Sequence, residues 1–275
     1  MSVKPTKERI HPSGCIVEFY DADHRYCVRD EPSIEFTSAT TWISRFFPEF
    51  DRLGISERYA RKHNLRQEDV LAMWDEKSRV ACDRGTLIHE RAEQAIHHFQ
   101  ENDVHIDLDD ILTSEENDGV SDDPLHTRAL ISAMHGAVKR MSEVVDFRET
   151  ECVIASPELR LSGMVDLIVQ VRSDRDRPLV GLYDWKTNAK IEQDNRWQNG
   201  LPPLSNLPHC NFIHYSLQLN LYEYICRREG YFPEDTDFQK ALIHLAPGGY
   251  KTYKCPNMQE TIALMLESEL GQRLL

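Results

Sequence analysis

The strongest constraint on what this chain can fold into lies in residues 161–187. Two apolar runs, LSGMVDLIVQV (161–171) and PLVGLYDWKT (178–187), flank a polar SDRDRP segment. Both runs are rich in β-branched and aromatic residues, and the segment between them carries turn chemistry, so the pair reads as an antiparallel hairpin. Paired positions in such a hairpin keep a constant sum. A turn centred near residue 175 therefore sets Asp166 opposite Asp184. Opposed residues point to one face with Cβ atoms roughly 4.5–5.5 Å apart. Lys186 stands two residues beyond Asp184 and shares that face. A one-residue slip of register would turn one aspartate away.

Two carboxylates and one ammonium thus meet on a mostly buried surface. Like charges that close repel, and burying them unpaired is costly. One lysine leaves an excess of negative charge. Two readings stay open at this point. A divalent cation such as Mg²⁺ cancels the excess, since it prefers hard oxygen ligands and is held by one or two carboxylates with waters and phosphates. A buried Asp–Lys–Asp ion cluster, or an Asp166 at a strand edge, needs no metal.

The surrounding pattern is mixed α/β. Residues 15–36 read as short strands around a DAD turn. TSATTWISRFFPEF (37–50) opens a helix with Ser38 or Thr40 as N-cap candidate, stopped by Pro48. Residues 54–63 and 67–81 look helical. From Gly85 to Phe99, the residues Ile88, Ala92, Ala95, Ile96 and Phe99 recur at the spacing of one buried helical stripe. Residues 125–144 form another helix. ECVIA and the two runs above give three strands, a largely antiparallel meander. Gly200, Pro202, Pro203 and Pro208 mark a long loop. A helix over 212–228, two short strands (KALIHLA, YKTYKC) and a final helix complete the order. The expected organisation is one domain over 1–275. It comprises N-terminal strands (1–36), a helical wall (37–84), a core (85–255) with an acidic loop (101–124), and a C-terminal helix (256–275).

Charge and cysteine content narrow the function classes. The chain has 32 basic and 46 acidic residues, a formal charge of −14. Taken whole, this argues against non-specific polyanion binding. Residues 101–124, however, hold ten acids and no Lys or Arg, and the remainder stands at −4. A nucleic-acid groove is compatible with that remainder. The seven cysteines include no CxxC pair, which supports neither a disulfide framework nor a closed zinc site. No run reaches the roughly 18 apolar residues of a membrane span, and the opening residues lack a signal-peptide core. An intracellular protein, in cytoplasm or nucleus and without membrane association, is expected.

Two further pairs draw attention. His89 borders the apolar stripe of the Gly85 helix, with Glu93 one turn on. Gln218 and Tyr222 share a helix face in HYSLQLNLY. A lone histidine beside a core face, or a tyrosine at helical spacing, is by itself ordinary structure.

Together these signals form an ordered set: GTLIH (85–89), GMVD (163–166), DWK (184–186) and QLNLY (218–222). The set resembles the RecB-like, mitochondrial-exonuclease-like branch of the PD-(D/E)XK nuclease superfamily, marked by G-x-x-x-H, G-x-x-D, (D/E)-x-K and Q-x-x-x-Y in that order. The likeness spans roughly residues 37–255 and extends to uncharacterised members in large DNA viruses and protists. It implies a restriction-endonuclease-like core, a central mixed sheet flanked by helices. It implies Mg²⁺ or Mn²⁺ held by Asp166, Asp184, His89 and the Trp185 backbone carbonyl. Lys186 would position and help deprotonate a water. Gln218 and Tyr222 would orient the site and contact a nucleic-acid backbone, with Glu93 assisting and Ser38 and Thr40 as phosphate contacts. Some members of the branch carry a four-cysteine iron–sulfur cluster. Only Cys226 and Cys255 lie late here, far apart, so no cluster is expected. The activity implied is metal-dependent hydrolysis of DNA, exonucleolytic or at single-stranded ends and flaps, in repair, replication or recombination. A helicase or other repair protein is the implied partner. The alternatives are a non-catalytic nucleic-acid-binding scaffold of the same fold, and a nuclease active only within a larger complex.

Overall fold

The computed structural model describes residues 4–113, 123–173 and 176–273. Two compact units are present: residues 1–48, 140–244 and 251–275 form the first, and 49–139 with 245–250 the second.

The first unit opens with four antiparallel strands in the order β1 (Lys7–Ile10), β2 (Ile16–Tyr20), β3 (Arg25–Val28) and β4 (Glu31–Glu35). The larger sheet contains β5 (Thr37–Ser38), β6 (Val145–Ser156), β7 (Leu161–Val171), β8 (Leu179–Lys186), β9 (Asp237–Ala246) and β10 (Gly249–Lys254). It is a mixed sheet. β6–β7–β8 is the antiparallel meander expected from the sequence, but β5–β7 and β8–β9 are parallel. The parallel step follows from α6 (Asn211–Glu229), because a parallel neighbour requires a crossover and a helix supplies it. It is buried nearly all round, with Leu217, Leu219, Leu221, Ile225 and Cys226 alongside the buried polar Ser216, Gln218, Asn220 and Glu223. The apolar ones share one core with Leu161, Val165, Ile168, Val180 and Leu182 of the sheet and with Trp42 and Phe46. Trp42 belongs to α1 (Ala39–Ser44), which Ser38 caps by accepting from the Thr41 N–H at 3.2 Å. The expected helix over 37–50 is thus a two-residue strand, a short helix and a turn. The expected final helix is two, α7 (Gln259–Glu267) and α8 (Glu269–Arg273), parted by extended backbone at Ser268.

The second unit is helical: α2 (Arg52–His63), α3 (Gln67–Asn102), α4 (Leu108–Thr113) and most of α5 (Pro124–Met141). The expected helices 67–81 and 85–99 are one, running unbroken through Gly85. An interior glycine costs only about 1 kcal/mol, and of the expected stripe Ile88, Ala92, Ala95 and Ile96 are buried while Phe99 is half-buried. The acidic segment 101–124 is not all loop, since α4 lies inside it; residues 114–122 of that segment fall outside those described. The basic side chains of this region pair locally: Arg61 with Glu57 at 2.6 Å and Arg66 with Asp69 at 2.6 Å, all exposed. No helix among the described residues is long and apolar enough to cross a membrane.

Candidate active site

The β7–β8 ladder pairs Leu167 with Tyr183, Ile168 with Leu182, Val169 with Gly181 and Gln170 with Val180. This is the register the hairpin argument requires, and its next step sets Asp166 opposite Asp184. The ladder ends one pair short of them. There Asp166 Oδ2 accepts the Trp185 N–H at 2.8 Å, so a side chain takes the place of a ladder carbonyl.

The sheet opens at this point. One edge of β7 pairs with β5 at Leu161 and Ser162 and with β8 from Leu167 onward. GMVD, residues 163–166, spans the gap between the two partners. Val165 and Ile168 nevertheless join the same core, a spacing that strict alternation forbids. The register shift of the β6–β7 pair lies nearby, between Phe147 and Glu149. On the facing strand, Thr150↔Leu167 and Cys152↔Val165 bracket Glu151 and Asp166. Glu151 has φ of 45°, an uncommon value for a residue without glycine's freedom. Its carboxylate oxygen and that of Asp166 lie within 4.8 Å of each other.

Asp184 and Asp166 are buried, at 2% and 8% exposure. Lys186 is ion-paired with Asp184. Its ammonium also lies 4.5 Å from the centre of the Tyr215 ring. Burial alone would lower its pKa, but the charges of Asp184 and Asp166 outweigh that and push it up to about 12. Lys186 is therefore a firm cation at neutral pH. A short chain fixes the ring beneath it: Tyr215 donates to Asn188 Oδ1 at 3.0 Å, and the Asn188 carbonyl meets His244 Nε2 at 2.7 Å. His244 is the β9 partner of Lys186 in the parallel ladder.

Gln218 donates to the Tyr222 hydroxyl at 3.0 Å, and both side chains are buried. Burial raises the Tyr222 pKa far above its ordinary value, so the phenol stays neutral. Its ring seats on Gly163. A Cβ there would come within 2.4 Å of the Tyr222 ring, which explains why the glycine and the tyrosine occur together. Ser38 is engaged in capping α1, and its Oγ lies 3.2 Å from Thr40 Oγ1. His89 and Glu93 are half-buried on α3 of the second unit, one turn apart.

The structure thus brings together Asp166, Asp184, Trp185 and Lys186, and separately joins Gln218 to Tyr222. It adds Glu151, Tyr215 and Asn188, which the sequence reading missed. The strand ECVIA was recognised, but nothing local marks its first residue as irregular.

The carboxylate oxygens of Glu151 and Asp166 lie within 4.8 Å of each other, and Asp184 is paired with Lys186, so the donors on these strands are hard carboxylate oxygens. Such a set suits a divalent cation of the Mg²⁺ type.

The family model of the PD-(D/E)XK nuclease superfamily matches residues 57–268. The chain belongs to this superfamily. Its members characteristically use divalent metal ions, in keeping with the oxygen-rich set here. No curated protein compared with the chain matches it.

One pH dependence arises beside the site. His214, on the first turn of α6, packs at a tilt against Phe47 with ring centroids 3.9 Å apart, and the His209 ring lies 5.0 Å away. Burial, reinforced by His209, lowers the His214 pKa to about 4 from the model-peptide value of 6.5. The folded protein then binds fewer protons than the unfolded chain below pH 6.5. Its contribution to stability is complete above 6.5 and is lost as pH falls toward 4. Allowing for partial exposure, the loss is about 2 kcal/mol. Unfolding free energies from urea titrations at pH 7 and pH 4 should differ less in His214→Phe than in the native protein by that amount.

Proposed function

We propose that this chain is a metal-dependent nuclease that hydrolyses phosphodiester bonds in DNA, acting exonucleolytically or on single-stranded ends and flaps. The observation that carries the reading is the Lys186 ammonium held by Asp184 and the Tyr215 ring, beside two buried aspartates where β7 and β8 part. Superfamily membership supports it, and the order of the four short motifs favours the RecB-like branch.

Asp166, Asp184 and Glu151 would hold Mg²⁺ or Mn²⁺. On motif order, His89 and the Trp185 carbonyl are the further ligands. Such an ion, when bound, lowers the pKa of a coordinated water and offsets charge on the phosphoryl oxygens. Lys186 contributes a fixed positive charge at the same end of the sheet. It orients a water through its N–H groups and stabilises the negative charge that grows on the phosphate. Tyr215 and Asn188 keep the ammonium from swinging away. Gln218 and Tyr222 hold α6 against the GMVD gap and so fix the backbone that carries Asp166. Glu93, Ser38 and Thr40 are assigned supporting contacts on the sequence pattern. DNA with free ends is the proposed partner, with a helicase or other repair or recombination protein beside it, inside the cell.

The test is incubation of the purified chain with 5′- and 3′-labelled single- and double-stranded DNA, and with RNA, in Mg²⁺, Mn²⁺ or EDTA. Metal-dependent cutting of DNA is expected, and the ladders from the two labels give the polarity. A folded protein that binds DNA but cuts none of these substrates would be a scaffold. Cutting that starts only when an ATPase partner is added would make it a subunit of a larger machine.

A further inference from the structure

The helical unit carries an exposed surface with two chemistries side by side. Single apolar side chains in water are ordinary, but a contiguous row of them marks a place of contact. On α2 and α3 such a row is built from rings. Phe50, just before α2, is 65% exposed, and Tyr59 on α2 is 38% exposed. The Phe50 ring centre lies 6.1 Å from that of Trp74 on α3, the Trp74 ring lies 6.3 Å from Tyr59, and Tyr59 lies 4.2 Å from His63. Four rings thus run in one continuous chain, with Trp74 half-buried and the others exposed. Tyr59 and His63 are spaced i, i+4 and share one face of α2. Arg58 and Lys62 have the same spacing and form a second row alongside, both exposed. A basic stripe therefore borders an aromatic one.

The charge here runs against the trend of the chain. Residues 52–66 hold five basic side chains and one acid, Glu57, in a protein of formal charge −14. The acids that meet these cations hold them loosely. Arg58 reaches Asp51 at 3.8 Å with both side chains exposed, while Asp51 already accepts the Gly54 N–H to cap α2. Exposed pairs of this kind contribute little, so a phosphate can displace them. Single-stranded nucleic acid uses both surfaces: rings on which unpaired bases stack, and cations that follow the backbone. A duplex keeps its base faces stacked on one another. A protein interface also favours aromatic residues and Arg, but it is poor in Lys.

We infer that Phe50, Trp74, Tyr59 and His63 form a stacking row for the unpaired bases of single-stranded DNA, with Arg58 and Lys62 contacting its phosphates. The choice of DNA rests on the nuclease reading above and deepens it, since it gives the helical unit the task of holding an unpaired strand.

The test is fluorescence anisotropy of fluorescein-labelled oligo(dT) with the full chain in EDTA, where binding is read without cutting. The native protein is compared with Phe50→Ala, Tyr59→Ala, Tyr59→Phe and the double variant Arg58→Gln with Lys62→Gln, over a series of salt concentrations. Base stacking is lost with the ring, so Phe50→Ala and Tyr59→Ala should each raise the dissociation constant about tenfold and leave the salt dependence as it was. Tyr59→Phe keeps the ring and should bind as the native protein does, which separates stacking from a general loss of fold. The double variant should flatten the plot of log affinity against log salt by about 1.4, or about 0.7 for each phosphate contact removed. Equal oligo(dT) affinity in the ring variants and the native protein, while the native protein cuts DNA in Mg²⁺, would overturn this inference alone and assign the row to a protein partner. A salt slope unchanged in the double variant would overturn it as well. A native protein that neither holds oligo(dT) nor cuts DNA would remove the nuclease reading together with it.

Discussion

Lys186→Ala lowers the rate of metal-dependent DNA cleavage by about 10²–10⁴-fold, the range for losing a positioned proton-transfer or charge-stabilising group. The expectation follows from what the ammonium does in the fold. It is held between Asp184 and the Tyr215 ring, at the end of β8, and it is a firm cation. Alanine removes that charge and leaves the carboxylates in place. Metal binding should therefore persist, or tighten, because Asp184 loses the ammonium that shares it. Single-turnover cleavage together with Mn²⁺ titration separates the two effects. Loss of cleavage with metal binding intact assigns Lys186 to the chemistry. Parallel loss of both would make it a structural partner of the aspartates. Lys186→Arg should recover little, since a planar guanidinium differs in shape and hydration from the ammonium that packs on Tyr215.

Gly163→Ala destabilises the protein by about 3 kcal/mol, the upper part of the range for overpacking a dense core. The added methyl would lie 2.4 Å from Cε1 and 2.6 Å from the hydroxyl of Tyr222. Neither side yields easily. Gly163 lies on a central strand, and Tyr222 is buried on α6 and hydrogen-bonded to Gln218. A double-mutant cycle makes the cause visible. In a Tyr222→Ala background the same glycine substitution should cost well under 1 kcal/mol, because the clashing ring is gone. Urea unfolding of the four proteins measures the coupling directly. A Gly163→Ala cost unchanged by Tyr222→Ala would mean that the glycine serves its own backbone instead.

Much of the site was legible in the sequence because its geometry is local. A short turn between two apolar strands fixes a register, and that register set Asp166 against Asp184 with Lys186 beside them. The i, i+4 relation of Gln218 and Tyr222 is equally local, and the structure realises it as a hydrogen bond. What escaped is set by partners distant in the chain. β5 is two residues long and parallel to β7, so no periodicity announces it or the gap it leaves at GMVD. Glu151 reads as an ordinary strand acid until its φ of 45° and its closeness to the Asp166 carboxylate are seen together. The Tyr215 and Asn188 support for Lys186 spans β8, the loop after it and α6. The run of α3 through Gly85 shows tertiary packing overriding a local break signal. The glycine of GMVD was recognisable as part of a motif, but its reason, the Tyr222 ring, lies 59 positions away.

The central claim is that the carboxylates where β7 and β8 part hold a divalent cation next to Lys186. Anomalous X-ray diffraction from crystals of the native protein grown in Mn²⁺ addresses it most directly. The account predicts an anomalous peak ligated by Asp166 and Asp184, with Glu151 oxygens directed toward it and the Lys186 ammonium nearby. Saturating Mn²⁺ with no peak among these carboxylates, or a peak only at surface acids, would contradict it.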